Sequence, residues 1–418
     1  PRPRTPPIWV QRSTCGATTG SRPDPGGDER IPVQVPRHGA CHIPTVRAGY
    51  RTDPTTPRRG IPPVTNTTLE TPRVRPSMHA LVLDGHLRLG RLPRPVPAVS
   101  GVVVRVDACA VSRLDLDLVA GRRAVQVRPA VLGHEFVGTV DEVGERVDPA
   151  WRGRRVVARP VLGCRRCESC RGQRAWQCEE GRVGGLGMGL VDGAFADYVG
   201  VPVEALIPVP DVLDDEEAVL SYSVAVGLEV LAQVPGPPPQ RILVVGDGNM
   251  GLLLTLMLHA AGHTVSVIGR HPSRRELLWR SGIGFHALGD SGSMDPDEWG
   301  RVVGEPFGVV VECSGRSNGL DLAARALRPR GRILMVSDHA GQPGADLRFL
   351  VEREAELVGV GGGPLQPAVN YVSTRAVDVL PLIDAKIPLD DGVAALDRAG
   401  QRGTLRTVLV RTPRERRG

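Results

Sequence analysis

The sequence predicts an α/β protein in which a mainly-β unit precedes a doubly wound parallel sheet. Three observations carry that reading. Short apolar runs broken by Gly and Pro fill residues 78 to about 220, from 241 onward apolar strands alternate with helical stretches, and a glycine-rich turn joins strand to helix where the rhythm changes. Dense Gly and Pro punctuation favours irregular, largely antiparallel β structure. Strand and helix in alternation imply a parallel sheet covered by helices.

The first strand is expected at 78–83 (MHALVL), followed by strands at 101–107 (GVVVRVD), 135–142 (EFVGTVDE), 154–158 (RRVVA) and 195–201 (FADYVGV). The parallel sheet is expected to use 241–245 (RILVV), 264–268 (TVSVI), 308–311 (GVVV) and 331–336 (GRILMV), with helices near 249–261, 272–281 and 319–327. Helical stretches at 366–380 and 388–399 and a last strand at 406–410 (RTVLV) close the chain.

Residues 1–77 fit none of these patterns. They hold 15 of the 38 prolines and show neither helical nor alternating periodicity. Such a stretch cannot bury enough apolar area to offset its ordering entropy, so a disordered Pro/Arg-rich extension is expected. The first methionine is Met78, which places the expected start of the working protein there and the preceding segment outside it. His38, Cys41 and His42 lie close together in that segment, but no second ligand cluster accompanies them.

Charge divides the same way. Residues 1–77 carry 12 Arg and 5 acids, so of the net charge of +6 the other 341 residues contribute −1. That near-neutral body excludes a basic nucleic-acid stripe. No apolar run approaches the roughly 18 residues of a membrane-spanning helix, and no signal-like stretch opens the chain. A cytoplasmic protein with no membrane partner is expected.

Four of the eight cysteines, Cys164, Cys167, Cys170 and Cys178, fall within fifteen residues. Four thiolates from one loop can close a tetrahedral shell around zinc with no open position, which describes a structural site. The surrounding sequence, GCRRCESCRGQRAWQC, has no hydrophobic periodicity, so metal would be its main organiser.

Gly246-Asp247-Gly248-Asn249-Met250-Gly251 follows the strand at 241–245 directly and opens an apolar helix. Gly246, Gly248 and Gly251 permit a tight turn and close backbone approach to a dinucleotide pyrophosphate at the helix N-terminus. An acid at the end of the next strand would bind the ribose of NAD(H). The sequence there is Gly269-Arg270-His271, and Arg270 suits the 2′-phosphate of NADP(H) instead.

Taken in order, Gly133-His134-Glu135-Phe136-Val137-Gly138, the four-cysteine lobe, Gly193-Ala194-Phe195-Ala196-Asp197-Tyr198 and the dinucleotide turn resemble the medium-chain, zinc-containing alcohol and polyol dehydrogenases. The resemblance covers essentially all of 78–418. It implies a GroES-like catalytic domain (78–223, with the zinc lobe at 164–178) interrupted by a Rossmann domain (224–361), and a C-terminal return to the catalytic domain (362–418). It also implies hydride transfer between a nicotinamide and a small alcohol or carbonyl, a homodimer or homotetramer, and a pyrophosphate contact from Arg406.

The departures from the family fall on the catalytic zinc. Where the family places a Cys ligand, the segment reads Ser112-Arg113-Leu114-Asp115, and the relay hydroxyl becomes Leu114. The second ligand matches His134, beside Glu135. The third, ordinarily a thiolate or carboxylate, falls at Tyr222 within Ser221-Tyr222-Ser223. Neutral hydroxyls are poor substitutes, because a Tyr ionises only near pH 10. Glu135 or Cys109 could still enter the shell; otherwise the catalytic zinc is absent or weakly held. On this reading Ser112, His134, Glu135 and Tyr222 form the catalytic group, with Tyr222, Ser112 and His134 hydrogen-bonding the substrate oxygen. A zinc-independent NADPH reductase of activated C=C bonds and a non-catalytic cofactor-binding relic are the alternatives.

Overall fold

The computed structural model describes residues 76–125, 129–180, 185–188, 191–279, 281–289, 304–337 and 346–412. The expected N-terminal extension up to residue 75, with His38, Cys41 and His42, lies outside them.

A tight hairpin starts the fold. β1 (Ser77–Asp84) and β2 (His86–Pro93) pair through Gly85, whose φ of +75° suits a residue without Cβ. β1 buries Ala80 to Leu83 and also pairs with β4 (Ala130–Val131). β2 is mostly exposed, with only Leu87 and Leu92 packing in part against the core, so its signal in the sequence is weak.

A seven-stranded sheet centres on β3 (Gly101–Ala110). β3 is flanked by β5 (Glu135–Val143) and, on its other edge, by β7 (Tyr198–Pro202) and β16 (Arg406–Val410). β6 (Arg155–Ala158) and β8 (Leu206–Pro208) extend it beyond β5, and β15 (Ile383–Pro388) extends it beyond β16. All these pairs are antiparallel except β15 with β16, as the Gly- and Pro-rich sequence implies. A register shift between Val106 and Ala108 re-aims the end of β3. Ala108 and Ala110 thereby join the core that runs on toward the second sheet, while Cys109 faces the interior of the β unit.

Helix α1 (Arg113–Val119) follows β3, α2 (Glu168–Arg171) lies in the cysteine lobe, and α3 (Asp215–Val219) starts on an Asp214/Glu217 capping box. Helix α4 (Ser221–Gln233) then runs through the expected domain boundary at 223/224. Its buried Val224, Ala225, Val226 and Val230 belong to one core with Val137 and Val157 of the β unit and with Val244 and Leu252 beyond it. At Gly227 a Cβ would come 2.4 Å from Met257 Sδ, so glycine lets α4 close on α5 (Asn249–Ala260).

The second sheet is parallel throughout, in the order β11-β10-β9-β12-β13-β14. Its strands are β9 (Arg241–Val245), β10 (Thr264–Gly269), β11 (Gly284–Ala287), β12 (Phe307–Glu312), β13 (Leu327–Met335) and β14 (Glu356–Gly359). α5, α6 (Arg274–Trp279), α7 (Gly319–Ala326) and α8 (Arg348–Glu352) connect them. The near-continuous apolar run of β9 is what a strand covered on both faces requires. The order reverses between β9 and β12, which places a ligand crevice at their C-terminal ends. α9 (Leu365–Ser373) ends earlier than its apolar pattern suggests, and α10 (Gly392–Ala399) precedes β16.

Candidate active site and metal-binding lobe

The turn after β9 closes only with glycine. Gly246 adopts φ +121°, where a Cβ would lie 2.8 Å from the Ser314 backbone, and a Cβ at Gly251 would lie 2.0 Å from the Gly246 carbonyl oxygen. At Gly248 a Cβ would meet nothing within 4 Å, because that residue borders a cavity of about 130 Å³. No side chain caps α5 there, and Asn249 Oδ1 is buried without a partner. An open cradle at an uncapped helix N-terminus fits a pyrophosphate. Arg270, His271 and Arg316 line the same cavity, as does Asp247.

In the lobe, the sulfurs of Cys164, Cys167, Cys170 and Cys178 lie within 4.8 Å of one another. The backbone N–H groups of Cys164, Cys167 and Cys170 donate to the sulfurs of Cys178, Cys164 and Cys167, each at 3.4 Å, which favours thiolates. The sulfurs differ: with the Cys164 N–H as the largest influence the Cys178 thiol is lowered to about 6, whereas burial pushes the Cys170 thiol up to about 12. The donor set fits a tetrahedral zinc.

The third centre lies where β3, β5, α1 and α4 meet. Ser112 caps α1 and donates its hydroxyl to Asp115 Oδ2 at 2.6 Å, while Asp115 also accepts from the backbone N–H of Ser112 (2.8 Å) and Gly133 (3.1 Å). Ser112 is therefore occupied by Asp115, and its expected role as a donor to substrate gives way to that of a cap. The buried His134 places Nδ1 3.9 Å from Asp115 Oδ1 and Nε2 3.8 Å from Glu135 Oε1, both beyond hydrogen-bond reach, and Nδ1 has no partner. Burial disfavours the imidazolium, but the attraction of Asp115 and then Glu135 outweighs it and raises the His134 pKa. Tyr222, in the first turn of α4, stands edge-on to His134 with ring centroids 5.8 Å apart at 85°. Burial, helped by the Glu135 charge, pushes its hydroxyl up to about 12, so it stays a donor.

Both remaining candidate ligands, Glu135 and Cys109, have other partners. Ser223 donates to Glu135 Oε2 at 2.8 Å, and Arg406 lies 3.4 Å from Oε1 while donating to Ser223 (2.8 Å) and to the Val111 carbonyl (3.1 Å). Glu135 is thus held in a buried Ser–Glu–Arg clamp. Cys109 packs among Val106, Ala194, Ala196 and Leu409 inside the β unit, where burial pushes its thiol well up. Among the described residues the lobe cysteines form the one group able to hold a metal ion. The donors around His134 do not fit a zinc ion.

His134, Glu135, Tyr222 and Ser112 are thus brought together, and the four lobe cysteines likewise. Arg406, expected at the pyrophosphate, is 6% exposed and donates to Ser223 and the Val111 carbonyl beside Glu135, where a buried carboxylate needs a cation. Ser223, Asp247 and Arg316 were not singled out by sequence. Ser223 lies next to Tyr222 and Asp247 lies within the turn itself, but only the fold shows what each one touches.

These three centres define a two-domain, nicotinamide-dependent oxidoreductase. Residues 99–211 match the family model of the alcohol dehydrogenase GroES-like domain, and residues 250–376 match that of the zinc-binding dehydrogenases. Sorbitol dehydrogenase from Bacillus subtilis is 27% identical over 336 residues, covering 78% of this chain and 94% of its own. L-threonine 3-dehydrogenase from Xanthomonas oryzae is 26% identical over 327 residues, covering 75% and 94%. The cobalt- and zinc-bound alcohol dehydrogenase from Pyrobaculum aerophilum superposes with a TM-score of 0.70 at 25% identity, covering 80% of this chain and 99% of its own. A zinc-binding dehydrogenase from Sinorhizobium meliloti bound to NADP shares the fold, with a TM-score of 0.69 at 24% identity, covering 80% and 100%. The chain belongs to the medium-chain, zinc-containing alcohol and polyol dehydrogenase family. It is an oxidoreductase of the alcohol dehydrogenase type, acting between an NAD(P)(H) cofactor and an alcohol or carbonyl substrate.

Proposed function

We propose that the protein interconverts a small alcohol and its carbonyl with NADP(H), using a structural zinc in the cysteine lobe and no catalytic zinc. The observation that carries this reading is the commitment of Ser112 to Asp115 and of Glu135 to Ser223 and Arg406, which leaves His134 with Tyr222 in place of a metal shell. A nicotinamide held at the Gly246–Gly251 turn would supply or accept the hydride. Tyr222 donates its hydroxyl to the substrate oxygen, a preorganised dipole where the family uses a Lewis acid. His134, with its pKa raised, holds the proton that the oxygen gains on reduction. Pro160, Trp176 and Leu365 share a small cavity with Tyr222 and supply an apolar wall.

The family's dimeric or tetrameric habit is supported by β14, an edge strand beside the exposed Val351 and Leu357. Among the described residues no helix is long and apolar enough to cross a membrane.

Steady-state kinetics of Tyr222→Phe test the mechanism. We expect kcat to fall about 10²- to 10⁴-fold, as for loss of a positioned proton donor, with cofactor affinity retained. Unchanged turnover would remove Tyr222 from the mechanism, and no turnover of any alcohol, carbonyl or enone by the unaltered protein would make the chain a cofactor-binding relic.

A further inference from the structure

The end of β10 is where an acid recognising an unphosphorylated ribose would stand. The residue is Gly269, and the side chain of Asp247 from the neighbouring turn fills its place: a Cβ on Gly269 would lie 2.4 Å from both Cβ and Cγ of Asp247. The Asp247 carboxylate is turned inward. Its Oδ2 accepts from the backbone N–H groups of Arg270 (3.0 Å) and His271 (2.7 Å), His271 Nδ1 lies 3.1 Å from both oxygens, and the side chain is only 6% exposed. Asp247 therefore works on the loop. It pins residues 269–271 against the glycine-rich turn and fixes the direction in which Arg270 leaves the strand.

A second arginine reaches the same cavity from another element. Arg316, on the connection between β12 and α7, donates its backbone N–H to Ser314 Oγ at 3.2 Å, and Ser314 is anchored on the buried Glu312 carboxylate. Neither Arg270 nor Arg316 has a carboxylate within ion-pair distance among the described residues. The C-terminal return docks on the same loop: Arg274 of α6 donates to the Gly403 carbonyl, and a Cβ on Gly403 would lie 3.8 Å from His271. This brings Arg402 alongside. Burial first, then repulsion by Arg270, Arg402 and Arg113, holds the Arg316 guanidinium below its usual range. Arg113 is paired with Asp117, whereas the other three have no acid among the described residues. Three arginines gathered from three elements, none of them ion-paired among the described residues, suit an anion.

We propose that Arg270, Arg316 and Arg402 form a three-element subsite for the 2′-phosphate of NADP(H), and that Asp247, interlocked with Gly269, is the positioning residue that shapes it. The proposal rests on the dinucleotide reading of the cavity and adds to it the residues that choose between the two cofactors. The C-terminal segment thereby reads the cofactor as well as completing the catalytic sheet.

Binding of NADPH, NADH and adenosine 2′,5′-bisphosphate to the full chain, followed by calorimetry, provides the test. The unaltered protein should bind NADPH at least about 30-fold more tightly than NADH, from one or two charge-assisted contacts. Arg270→Ala and Arg316→Ala should each cut NADPH and adenosine bisphosphate affinity about 10- to 100-fold, and exposed Arg402→Ala about 3-fold, with much smaller effects on NADH. Asp247→Ala should lower the NADPH:NADH ratio. Combining Asp247→Ala with Gly269→Asp returns a carboxylate to the strand end and should invert that ratio, which a purely structural role for Asp247 would not do. Tight NADH binding without preference for NADPH, or arginine variants that weaken both cofactors equally, would overturn the subsite while leaving the dehydrogenase reading intact. If folded protein bound neither dinucleotide, both would fall.

Discussion

The cysteine lobe and the His134 centre are the two places where the resemblance implies zinc, one structural and one catalytic, yet they are held together in opposite ways. The lobe has partly exposed sulfurs, two short helical turns (Glu168–Arg171 and Ala175–Gln177) and little apolar packing. Its own chain supplies N–H groups to the sulfurs, and its nearest cation, Arg166, is exposed and shared with Glu180. The His134 centre is buried, and most of its charged atoms are already answered by others: Asp115 by Ser112 and Gly133, Glu135 by Ser223 and Arg406. One region gathers four sulfurs with little packing to hold them together, and the other has its carboxylates paired within its own fold.

The largest expected effect lies in the lobe. Stripping zinc with a strong chelator, or changing Cys167→Ser, should unfold it, because structural zinc sites in small motifs hold about 10 kcal/mol or more of binding free energy. Proteolysis should then cut between 164 and 178 while the Rossmann sheet stays protected. Protection of the lobe in metal-free protein would break the contrast. Next in size is Arg406→Ala, which leaves the buried Glu135 without a cation. A loss of about 3–5 kcal/mol is expected in chemical denaturation, and a loss under about 1 kcal/mol would mean that the clamp is not what holds Glu135.

A smaller effect sharpens the same comparison through pH. Asp115 and Glu135 attract the His134 imidazolium, and Arg406 opposes it, so the folded pKa is raised above the unfolded value near 6.5. That attraction stabilises the fold fully below the unfolded value and is lost as pH rises through the folded one. Carbonyl reduction should decline over the same window while alcohol oxidation rises. Tyr222, at about 12, should leave no inflection between pH 6 and 10. A flat profile, or one unchanged in His134→Gln, would remove the imidazole from proton transfer.

The parts of this molecule that sequence shows are those written in local pattern. The apolar run 241–245 and the glycines after it specify β9 and its turn, since a strand covered on both faces and a turn needing positive φ at Gly246 leave direct marks. The four lobe cysteines are legible for the same reason. Helix α4 is less so: a boundary at 223/224 looks natural by motif, but one apolar stripe packs on both halves and the helix runs through. The clamp on Glu135 joins residues separated by 88 and 271 positions, and no spacing rule connects them. Arg406 was legible as a functional arginine, but its partner depended on which face of β16 met α4. Asp247 filling the place of a side chain at Gly269 is likewise a statement about two adjacent strand ends.

The central claim is that this dehydrogenase keeps the structural zinc and has replaced the catalytic one with hydrogen-bonding side chains. Metal analysis of the purified, active protein tests it most directly. The account predicts one zinc per chain, removed together with the fold of the lobe. Two zinc ions per chain, with one lost in step with activity while the lobe stays folded, would contradict it.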